Sequence, residues 1–396
     1  MESKQKILII VTKAEVGGAQ MSVLNLSKQL KKRGKEVTVG FGEGDFLKKE
    51  LEKEGIRTQR FKWLKRTHNP LANWLFVREV LHFLNNHPFD VVHINSSNAL
   101  FAAKSSKKSR NKPKTVFTFR GMSMLDPNYR DNPIKKFLYK KLFQTLLRYV
   151  DASVFVSRHN LNLAEKEGLV KKGQGYLIYN GLDPENLEFL NSFQARRKLL
   201  SPSKGDGFVA LGGRQREKRE SMDNTFLIGS IGRLHYQKNY EFLINIFPEI
   251  LKIKPNARAV IIGDGPERSG YEKMISDKGL QGKIILAGSI PNASQYLKAF
   301  DLFILPSRYE GLSVTLIEAL FAGVPVLASQ VGGAEEMFSG EQLFELNNKK
   351  EFLQNFQKLA TDEQARRKAS EANKKNADRF TIKNTVEGYL QLYKNR

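Results

Sequence analysis

Residues 301–318, DLFILPSRYEGLSVTLIE, decide the fold of this chain. The branched and aromatic side chains of Asp301 to Leu305 predict a short buried strand of a parallel sheet. Pro306 ends that strand, and a helix is expected to begin near Ser313, an acceptable N-cap residue. Ligands of open α/β sheets bind at the carboxyl ends of the strands, and the free N–H groups of a helix N-terminus favour anions. The stretch therefore predicts a ligand-binding loop.

Two glutamates belong to this stretch. Glu310 lies in the loop, and Glu318 follows eight residues later, a little over two helical turns, which returns it towards the same side of the helix. Carboxylates accept hydrogen bonds from hydroxyl groups. Two of them beside an anion site suit a ligand with hydroxyls at one end and phosphate at the other, such as a nucleotide-sugar.

Length and composition set the class of protein. A chain of 396 residues with 40% hydrophobic residues predicts two domains of similar size. The absence of cysteine excludes disulfides, cysteine-ligated metals and thiol catalysis, and it fits a cytoplasmic protein. The first apolar run, Ile7 to Val11, is too short for a signal peptide or a membrane span. A soluble or peripheral protein is expected.

The positive charge is concentrated in the first half of the chain. The formal net charge is +24, and residues 1–180 contain 34 Lys and Arg against 15 Asp and Glu. This asymmetry favours an anionic partner, either phospholipid head groups, a diphosphate-linked acceptor, an acidic polysaccharide or nucleic acid. Surface lysines that only keep the protein soluble are the alternative.

Strands alternate with helices along nearly the whole chain, which predicts mainly parallel, doubly wound sheets. We expect a Rossmann-like domain over 1–184 and a second Rossmann-like domain over 226–380. Residues 185–225 are expected to link them and to carry a basic, mobile insertion over 196–220. A C-terminal helix is expected over 381–396.

Three basic segments of the first half are candidates for contact with an acceptor or a membrane. They are Arg60–Arg66, Lys104–Lys114 and the helix that begins at Pro133. The helix combines lysines with an apolar stripe made of Ile134, Phe137, Leu138, Leu142, Leu146 and Tyr149. We expect peripheral docking on an anionic inner leaflet. A core-packed helix with a solvated basic back is the alternative.

In their order and spacing, the motifs of the chain resemble those of the retaining glycosyltransferases of family 4. Glu310 and Glu318 match the family's E-x7-E signature. Further matching motifs are Gly229–Arg233 with Lys238, Gly263–Pro266, Ala322–Val326, Gly332-Gly333, Gly17-Gly18, Val156-Ser157 and Asn180–Asp183. The resemblance covers nearly the whole chain and implies the GT-B fold, in which two doubly wound Rossmann-like domains face each other across a cleft. It implies that the domain over 1–184 binds the acceptor, that the domain over 226–380 binds the nucleotide-sugar, and that the helix over 381–396 packs back on the first domain.

The resemblance also implies roles for single residues. Arg233 and Lys238 would hold the diphosphate of the donor and offset the charge of the departing nucleotide. Glu310 would accept hydrogen bonds from the sugar hydroxyls, and Glu318 would bind the ribose. The remaining donor-binding residues would be Gly17, Gly18, Gly232, Asp264, Gly265, Gly311 and Leu312, with Gly17 and Gly18 facing the diphosphate across the cleft.

Arg120 departs from the family pattern. The family often has a histidine at this position, in contact with the donor sugar, whereas an arginine stays protonated and cannot carry a proton. Arg120 remains a candidate acceptor or sugar contact. His93, at the end of the preceding strand, is a second candidate if it points into the cleft, and a buried core histidine is the alternative.

The function that the resemblance implies is the transfer of a sugar, with retention of its configuration, from a nucleotide-sugar. A UDP-sugar is the favoured donor, and a glycan or lipid-linked molecule of cell-envelope polysaccharide or lipopolysaccharide synthesis is the expected acceptor. No cofactor or essential metal is expected, since the chain contains no D-x-D motif. A sugar-nucleotide epimerase is one alternative. A basic nucleic-acid-binding protein is another, although it would not explain the phosphate-site motifs.

Overall fold

Parallel sheets and their covering helices build two separate units. The computed structural model describes residues 4–15, 17–67, 69–200 and 224–394. The first unit consists of Met1–Asp183 and Phe380–Arg396, and the second of Pro184–Arg379.

The first unit contains a seven-stranded sheet. Its strands are β1 (Lys6–Lys13), β2 (Glu36–Glu43), β3 (Arg57–Arg60), β4 (Val91–Ile94), β5 (Lys114–Phe119), β6 (Ala152–Phe155) and β7 (Gly175–Leu177). Its first six helices are α1 (Gly18–Lys32), α2 (Phe46–Lys53), α3 (Pro70–Asn86), α4 (Ala102–Lys108), α5 (Pro133–Leu147) and α6 (Arg158–Lys166). All strand pairs are parallel, in the order β3-β2-β1-β4-β5-β6-β7.

The central strand β1 shows why both faces of this sheet are covered. Residues Ile7 to Val11 are all buried, as an apolar run without polar alternation predicts. Ile7 and Ile9 pack into the core cluster that includes α1, whereas Leu8 and Ile10 pack into the cluster that includes α3. Successive side chains of a strand point to opposite faces, so one strand supplies both cores.

The second unit contains a six-stranded parallel sheet. Its strands are β8 (Phe226–Ile231), β9 (Ala257–Ile262), β10 (Ile284–Gly288), β11 (Leu302–Leu305), β12 (Val326–Ser329) and β13 (Leu343–Phe344). Its helices are α7 (Ser192–Leu200), α8 (Tyr240–Ile253), α9 (Arg268–Asp277), α10 (Val314–Ala322), α11 (Ala334–Met337), α12 (Lys349–Thr361) and α13 (Glu363–Ala377).

The strand order of the second sheet, β10-β9-β8-β11-β12-β13, reverses between β8 and β11. Such a reversal opens a crevice at the carboxyl ends of the two strands, which is the ligand-binding position of doubly wound sheets. In the first unit the same reversal falls between β1 and β4. The predicted α/β class with two doubly wound sheets is confirmed, and the order of the strands identifies the binding edge of each.

The segment expected to link the domains differs from the sequence-based description. Its first part, residues 184–200, belongs to the second unit. Arg196, which the sequence placed in a mobile basic insertion, is largely buried and pairs with Asp301 at 2.6 Å. Its Nε also donates to the carbonyl of Ala299 at 2.9 Å. Residues 201–220 of the expected insertion lie outside the described residues.

The C-terminal helix α14 (Ile382–Lys394) packs on the first unit. Val386, Tyr389 and Tyr393 lie in the same core cluster as the strand residues Ile7 and Ile9. An amphipathic helix with this many buried side chains is part of the core of the unit rather than an appendage to it.

Candidate active site

The loops that follow β8 and β11 meet at the binding edge of the second unit. The first runs from Gly232 to a 3-10 turn at Tyr236–Lys238, and the second connects β11 to α10. The backbone N–H of Arg308 donates to the carbonyl of Gln237 at 2.8 Å. This bond fixes two segments that are about 70 residues apart in the sequence, and it brings predicted site residues together.

Lys238 and Glu310 form an ion pair at the centre of this region. Lys238 Nζ lies 2.6 Å from Glu310 Oε1, and the two side chains are only 14% and 11% exposed. Ser307 Oγ donates to the same carboxylate oxygen at 2.8 Å, and Gln237 Nε2 approaches the other oxygen at 3.4 Å. A carboxylate held by three donors has a fixed orientation, and the lysine ammonium still has two further N–H donors.

Glycines allow the loops beneath this pair to approach each other. A Cβ atom on Gly232 would lie 2.9 Å from Tyr240 Oη and 3.0 Å from Lys238 Cε. Gly263 has φ +147°, and a Cβ atom there would lie 2.1 Å from the carbonyl oxygen of Gly232. A Cβ atom on Gly265 would meet the carbonyl of Leu234 at 2.2 Å. Backbone packing therefore requires glycine at 263 and 265, whereas a side chain at Gly232 would displace those of Tyr240 and Lys238.

Arg233 and Asp264 lie at the exposed rim of the same loops. Arg233 is exposed and has no ion pair or side-chain hydrogen bond within the described ranges. Asp264 is exposed, accepts a hydrogen bond from the Gly265 N–H at 2.7 Å and lies 3.6 Å from Arg268. Arg233 and Lys238 belong to the same loop, which therefore offers two cationic side chains to a phosphate-bearing ligand.

The segment before α10 supplies backbone donors. Gly311 is held by the N–H of Gly333, which donates to its carbonyl at 2.8 Å. Gly332, with φ +58°, packs so closely that a Cβ atom would lie 2.4 Å from the carbonyl oxygen of Glu310. Leu312 is buried, and α10 begins two residues later. The Ser313 side chain, expected as the N-cap, makes no capping bond. The N–H groups of the first turn therefore remain available to an anion.

Glu318 lies on α10 and is partly buried. Burial raises the pKa of its carboxyl group to about 7, and interaction with the Ser294 side chain offsets part of this rise. The carboxyl group is therefore close to half protonated at neutral pH, when it both donates and accepts hydrogen bonds. Such a group is suited to bind a pair of hydroxyls.

We expect Glu318 to make stability depend on pH. The unfolded chain releases this proton near the ordinary value of 4.5, whereas the folded chain holds it until about pH 7. The free energy of unfolding therefore falls as pH rises through this window and levels off above it. Melting temperatures of the wild type and of Glu318→Gln, measured from about pH 5 to about pH 8, should show the wild type losing stability relative to the variant. Parallel profiles would contradict this, and the exposed Glu371→Gln is the matched control.

Arg308 is a site-supporting residue that sequence reasoning missed. Its guanidinium donates to the Tyr236 carbonyl at 2.6 Å and to Glu241 at 3.1 Å. The group also lies 4.1 Å from the centroid of the Tyr236 ring. Arg308 therefore anchors the turn that carries Lys238 to the loop that carries Glu310. A lone arginine in a loop resembles a surface cation, so no local signal identifies it.

The first unit contributes predicted residues at the carboxyl ends of its own strands. Gly17 and Gly18 follow β1 and start α1, and Gly17 has extended backbone with φ 178°. The side chain of Gln20 donates from its Nε2 to the carbonyl of Lys13 at 3.0 Å, which ties the helix start to the strand end. The glycine pair thus lies beside the strand-order reversal of the first sheet.

Arg120 follows β5 on the same edge of the first sheet. Its Nε and Nη2 atoms donate to Asn95 Oδ1 at 3.2 and 2.6 Å. Its Nη1 donates to the Oδ1 atom of Asn180. Burial lowers the pKa of the guanidinium, which still remains protonated at neutral pH.

His93 does not reach a ligand-binding edge, so its assignment as a sugar contact is wrong. Its side chain is fully buried against α14. Nε2 bonds to Thr118 Oγ1 at 2.7 Å and Nδ1 to Tyr393 Oη at 2.7 Å, which occupies both ring nitrogens. Burial, together with the charge of Arg120, lowers the pKa of His93 well below its ordinary value, so the ring is neutral. A core histidine is the correct description.

Comparison with known proteins identifies the family. The family model "Glycosyltransferase Family 4" matches residues 16–186, and the model "Glycosyl transferases group 1" matches residues 213–376. Together the two matches cover most of the chain, one over the first unit and one over the second. The chain belongs to the glycosyltransferases that these two models describe, as the sequence motifs predicted.

Individual relatives agree with this classification. The UDP-Gal:alpha-D-GlcNAc-diphosphoundecaprenol alpha-1,3-galactosyltransferase of Escherichia coli is 24% identical over 78% of this chain and 76% of its own length. The lipopolysaccharide core biosynthesis mannosyltransferase LpsB of Rhizobium meliloti is 27% identical over 51% of this chain and 58% of its own length. In four relatives that include LpsB, the match spans between 32% and 58% of the relative's length.

A solved structure shows the same fold. The crystal structure of Anabaena HepE in complex with UDP and glucose superposes with a TM-score of 0.79 at 20% identity, covering 99% of this chain and 100% of that one. This likeness confirms the GT-B architecture of two parallel sheets flanked by helices. Within the described part of the chain, none of the helices is both long enough and apolar enough to cross a bilayer.

Proposed function

We propose that the protein is a retaining glycosyltransferase. It transfers a sugar from a nucleotide-sugar, with a UDP-sugar as the favoured donor, to a glycan or lipid-linked acceptor of cell-envelope polysaccharide or lipopolysaccharide synthesis. The observation that carries this proposal is the partly buried Lys238–Glu310 pair at the strand-order reversal of the second unit. In this ion pair, a cation that can bind phosphate lies next to an oriented carboxylate that can accept hydrogen bonds from hydroxyls.

Each described group has a task in the transfer. Lys238 and Arg233 bind the diphosphate and offset the negative charge that develops as the bond from the anomeric carbon to the phosphate oxygen breaks. Glu310 orients the sugar by accepting hydrogen bonds from its hydroxyls. The acceptor oxygen forms the new bond on the same face, and its proton passes to the departing phosphate, so no protein nucleophile takes part.

The relatives support the choice of donor and acceptor class. The name of the E. coli relative specifies a UDP-sugar donor and a diphosphoundecaprenol-linked acceptor, and HepE crystallised with UDP and glucose. The LpsB name refers to lipopolysaccharide core synthesis. A basic first unit is suited to acceptors that carry phosphate or that lie at an anionic membrane.

A nucleotide screen tests this function. Melting temperatures with UDP, GDP, ADP and their sugars should show stabilisation by UDP and UDP-sugars, amounting to about 2.7 kcal/mol at 100 times Kd. NMR of the product should show a retained anomeric configuration, and EDTA should leave transfer unchanged if no metal is essential. An absence of stabilisation by every nucleotide and nucleotide-sugar would refute the proposal.

We also propose that the first unit docks on the cytoplasmic face of an anionic membrane through an apolar surface on α3 and α5. The described residues include eight large hydrophobic side chains that are exposed, and six belong to these helices: Leu71, Trp74, Ile134, Phe137, Leu138 and Leu142. Ser97 bonds to Tyr139 of α5 at 3.2 Å, and the adjacent Asn98 bonds to Thr67 near the start of α3 at 2.9 Å. The two helices therefore flank one short loop.

Charge complements this α3–α5 surface. Helix α5 contains four lysines and no acidic residue, and Lys141 lies over the ring of Phe137 at 5.6 Å. The opposite side of α5 is packed, since Phe143 and Leu146 are buried in the core. The exposed apolar residues are therefore not needed for folding, and together with the lysines they suit an interface of lipid head groups and acyl chains. The basic segment Lys104–Lys114 begins in a helix, since its residues as far as Lys108 belong to α4.

Vesicle co-sedimentation tests the docking surface. The double variant Phe137→Ser/Leu138→Ser should bind vesicles containing phosphatidylglycerol at least ~10-fold more weakly, because each buried apolar side chain contributes about 1.5–3 kcal/mol. Tyr176→Ser removes an exposed aromatic ring elsewhere on the first unit and is the matched control. Equal wild-type binding to phosphatidylcholine and phosphatidylglycerol vesicles at low salt would exclude the docking proposal.

A further inference from the structure

A cation without a counter-charge lies at the binding edge of the first unit. Arg120 follows β5, and its guanidinium bonds to two neutral side-chain amides, those of Asn95 and Asn180. Within the described ranges no carboxylate lies within ion-pair distance of Arg120. Charged groups with little water around them are normally paired, because desolvation of an unpaired charge costs free energy.

The groups around Arg120 supply no negative charge. His93 is neutral because its burial lowers its pKa. Burial also raises the pKa values of the Tyr389 and Tyr393 hydroxyls, so both remain protonated at neutral pH. The positive charge of Arg120 is therefore not offset from the core side of the sheet, and its counter-charge has to come from elsewhere.

The two asparagines orient Arg120 rather than neutralise it. Asn95 follows β4 and Asn180 lies beyond β7, and both are buried. The amide nitrogen of Asn95 approaches the carbonyl of His93 at 3.5 Å, which turns the amide oxygen towards the guanidinium. These bonds use three of the five N–H donors of the arginine, so Nη1 and Nη2 each retain one. Two donors on adjacent nitrogens match the two oxygens of a carboxylate or phosphate.

We propose that Arg120, positioned by Asn95 and Asn180, binds an anionic group of a substrate, either a carboxylate or a phosphate. The site lies where ligands of parallel sheets bind, at the carboxyl ends of adjacent strands, and it differs from the Lys238–Glu310 group of the second unit. The inference rests on the proposed function in that the anion belongs to a substrate of sugar transfer. It narrows that function to transfer reactions in which the donor sugar is a uronate or the acceptor carries a phosphate.

Binding measurements with matched probes test this assignment and identify the source of the anion. UDP-glucuronate and UDP-glucose differ by one carboxylate on the donor sugar. Farnesyl diphosphate and farnesol differ by the diphosphate of a prenyl carrier. Calorimetric titration of the wild type, Arg120→Gln and Arg120→Lys with all four probes and with UDP gives the comparison. Arg148→Gln, which removes an exposed cation of the same unit, is the control.

We expect Arg120→Gln to lower the affinity for one anionic probe by roughly 10-fold or more, as the loss of charge-assisted hydrogen bonds predicts. The affinities for the matched neutral probe and for UDP should be unchanged. Arg120→Lys should restore part of the affinity, because it retains the charge without the forked geometry. A loss of affinity for UDP-glucuronate assigns the anion to the donor, and a loss of affinity for farnesyl diphosphate assigns it to the acceptor.

Stability distinguishes this role from a structural one. Without an added anion, Arg120→Gln should melt at least as high as the wild type, because it removes an uncompensated charge. Unchanged affinity of Arg120→Gln for both anionic probes would overturn the inference, whether or not the melting temperature of the variant falls. If no nucleotide or nucleotide-sugar of the melting screen binds the wild type, the proposed function fails. If UDP binds and Arg120 makes no difference, only the anion site fails.

Discussion

Replacing Glu310 with alanine is expected to lower the rate of sugar transfer by about 100- to 1000-fold, the range found when one preorganised polar group is removed from an active site. The carboxylate is held by Lys238, Ser307 and Gln237, so its position is set before a substrate binds. The substitution removes the carboxylate that is proposed to accept hydrogen bonds from the sugar hydroxyls, and it leaves Lys238 without its partner. Initial rates at saturating donor and the melting temperature of the variant measure the two consequences separately.

A double-mutant cycle shows whether the pair acts as one unit. Lys238→Ala should also lower the rate by about 100-fold or more. The fold-decrease in the rate of the double variant should be much smaller than the product of the fold-decreases of the two single variants. Glu363→Ala is the control, because it removes a glutamate from an exposed ion pair with Arg367 on α13. Wild-type turnover in either single variant would refute the assigned site, and strictly multiplicative losses would show that the two residues act independently.

The Tyr389→Ala substitution is expected to destabilise the first unit by about 3–5 kcal/mol, the usual cost of removing a large buried aromatic side chain. Tyr389 is 1% exposed, packs against the rings of His93 and Tyr393, and bonds through its hydroxyl to Thr118 at 2.9 Å. Its loss leaves a cavity between α14 and the sheet and an unsatisfied polar network.

Denaturation followed by tryptophan fluorescence measures this loss in the first unit alone, since both tryptophans, Trp63 and Trp74, belong to it. Tyr389→Phe should cost only about 0.5–1.5 kcal/mol, the contribution of one hydrogen bond. Lys383→Ala lies on the exposed side of the same helix and should stay within about 0.5 kcal/mol of the wild type. A cost for Tyr389→Ala as small as that of Lys383→Ala would show that α14 is not part of the core.

Local patterns determined the two sheets and the position of the donor-side loops. The run before Pro306 specified β11 because every residue in it is apolar, and the residues after Gly311 specified α10. The order and spacing of Glu310, Lys238 and the glycine motifs carried the resemblance to the family, and at Gly263, Gly265 and Gly332 a Cβ atom would meet the backbone of a neighbouring loop. The strand and the helix are readable from the sequence because their causes lie within a few residues of one another.

The order of the strands and the partners of the polar side chains were decided only by tertiary structure. Periodicity reports how deeply a residue is buried, but it does not report which strand lies beside it, and a strand of two residues such as β13 is too short to show a period. His93 resembled a strand-end ligand in the sequence, and α14, about 300 residues later, makes it a core residue. The contact between Lys238 and Glu310 and the unpaired charge of Arg120 likewise depend on residues far apart in the chain. Sequence thus determined where binding groups occur, and folding determined which of them meet.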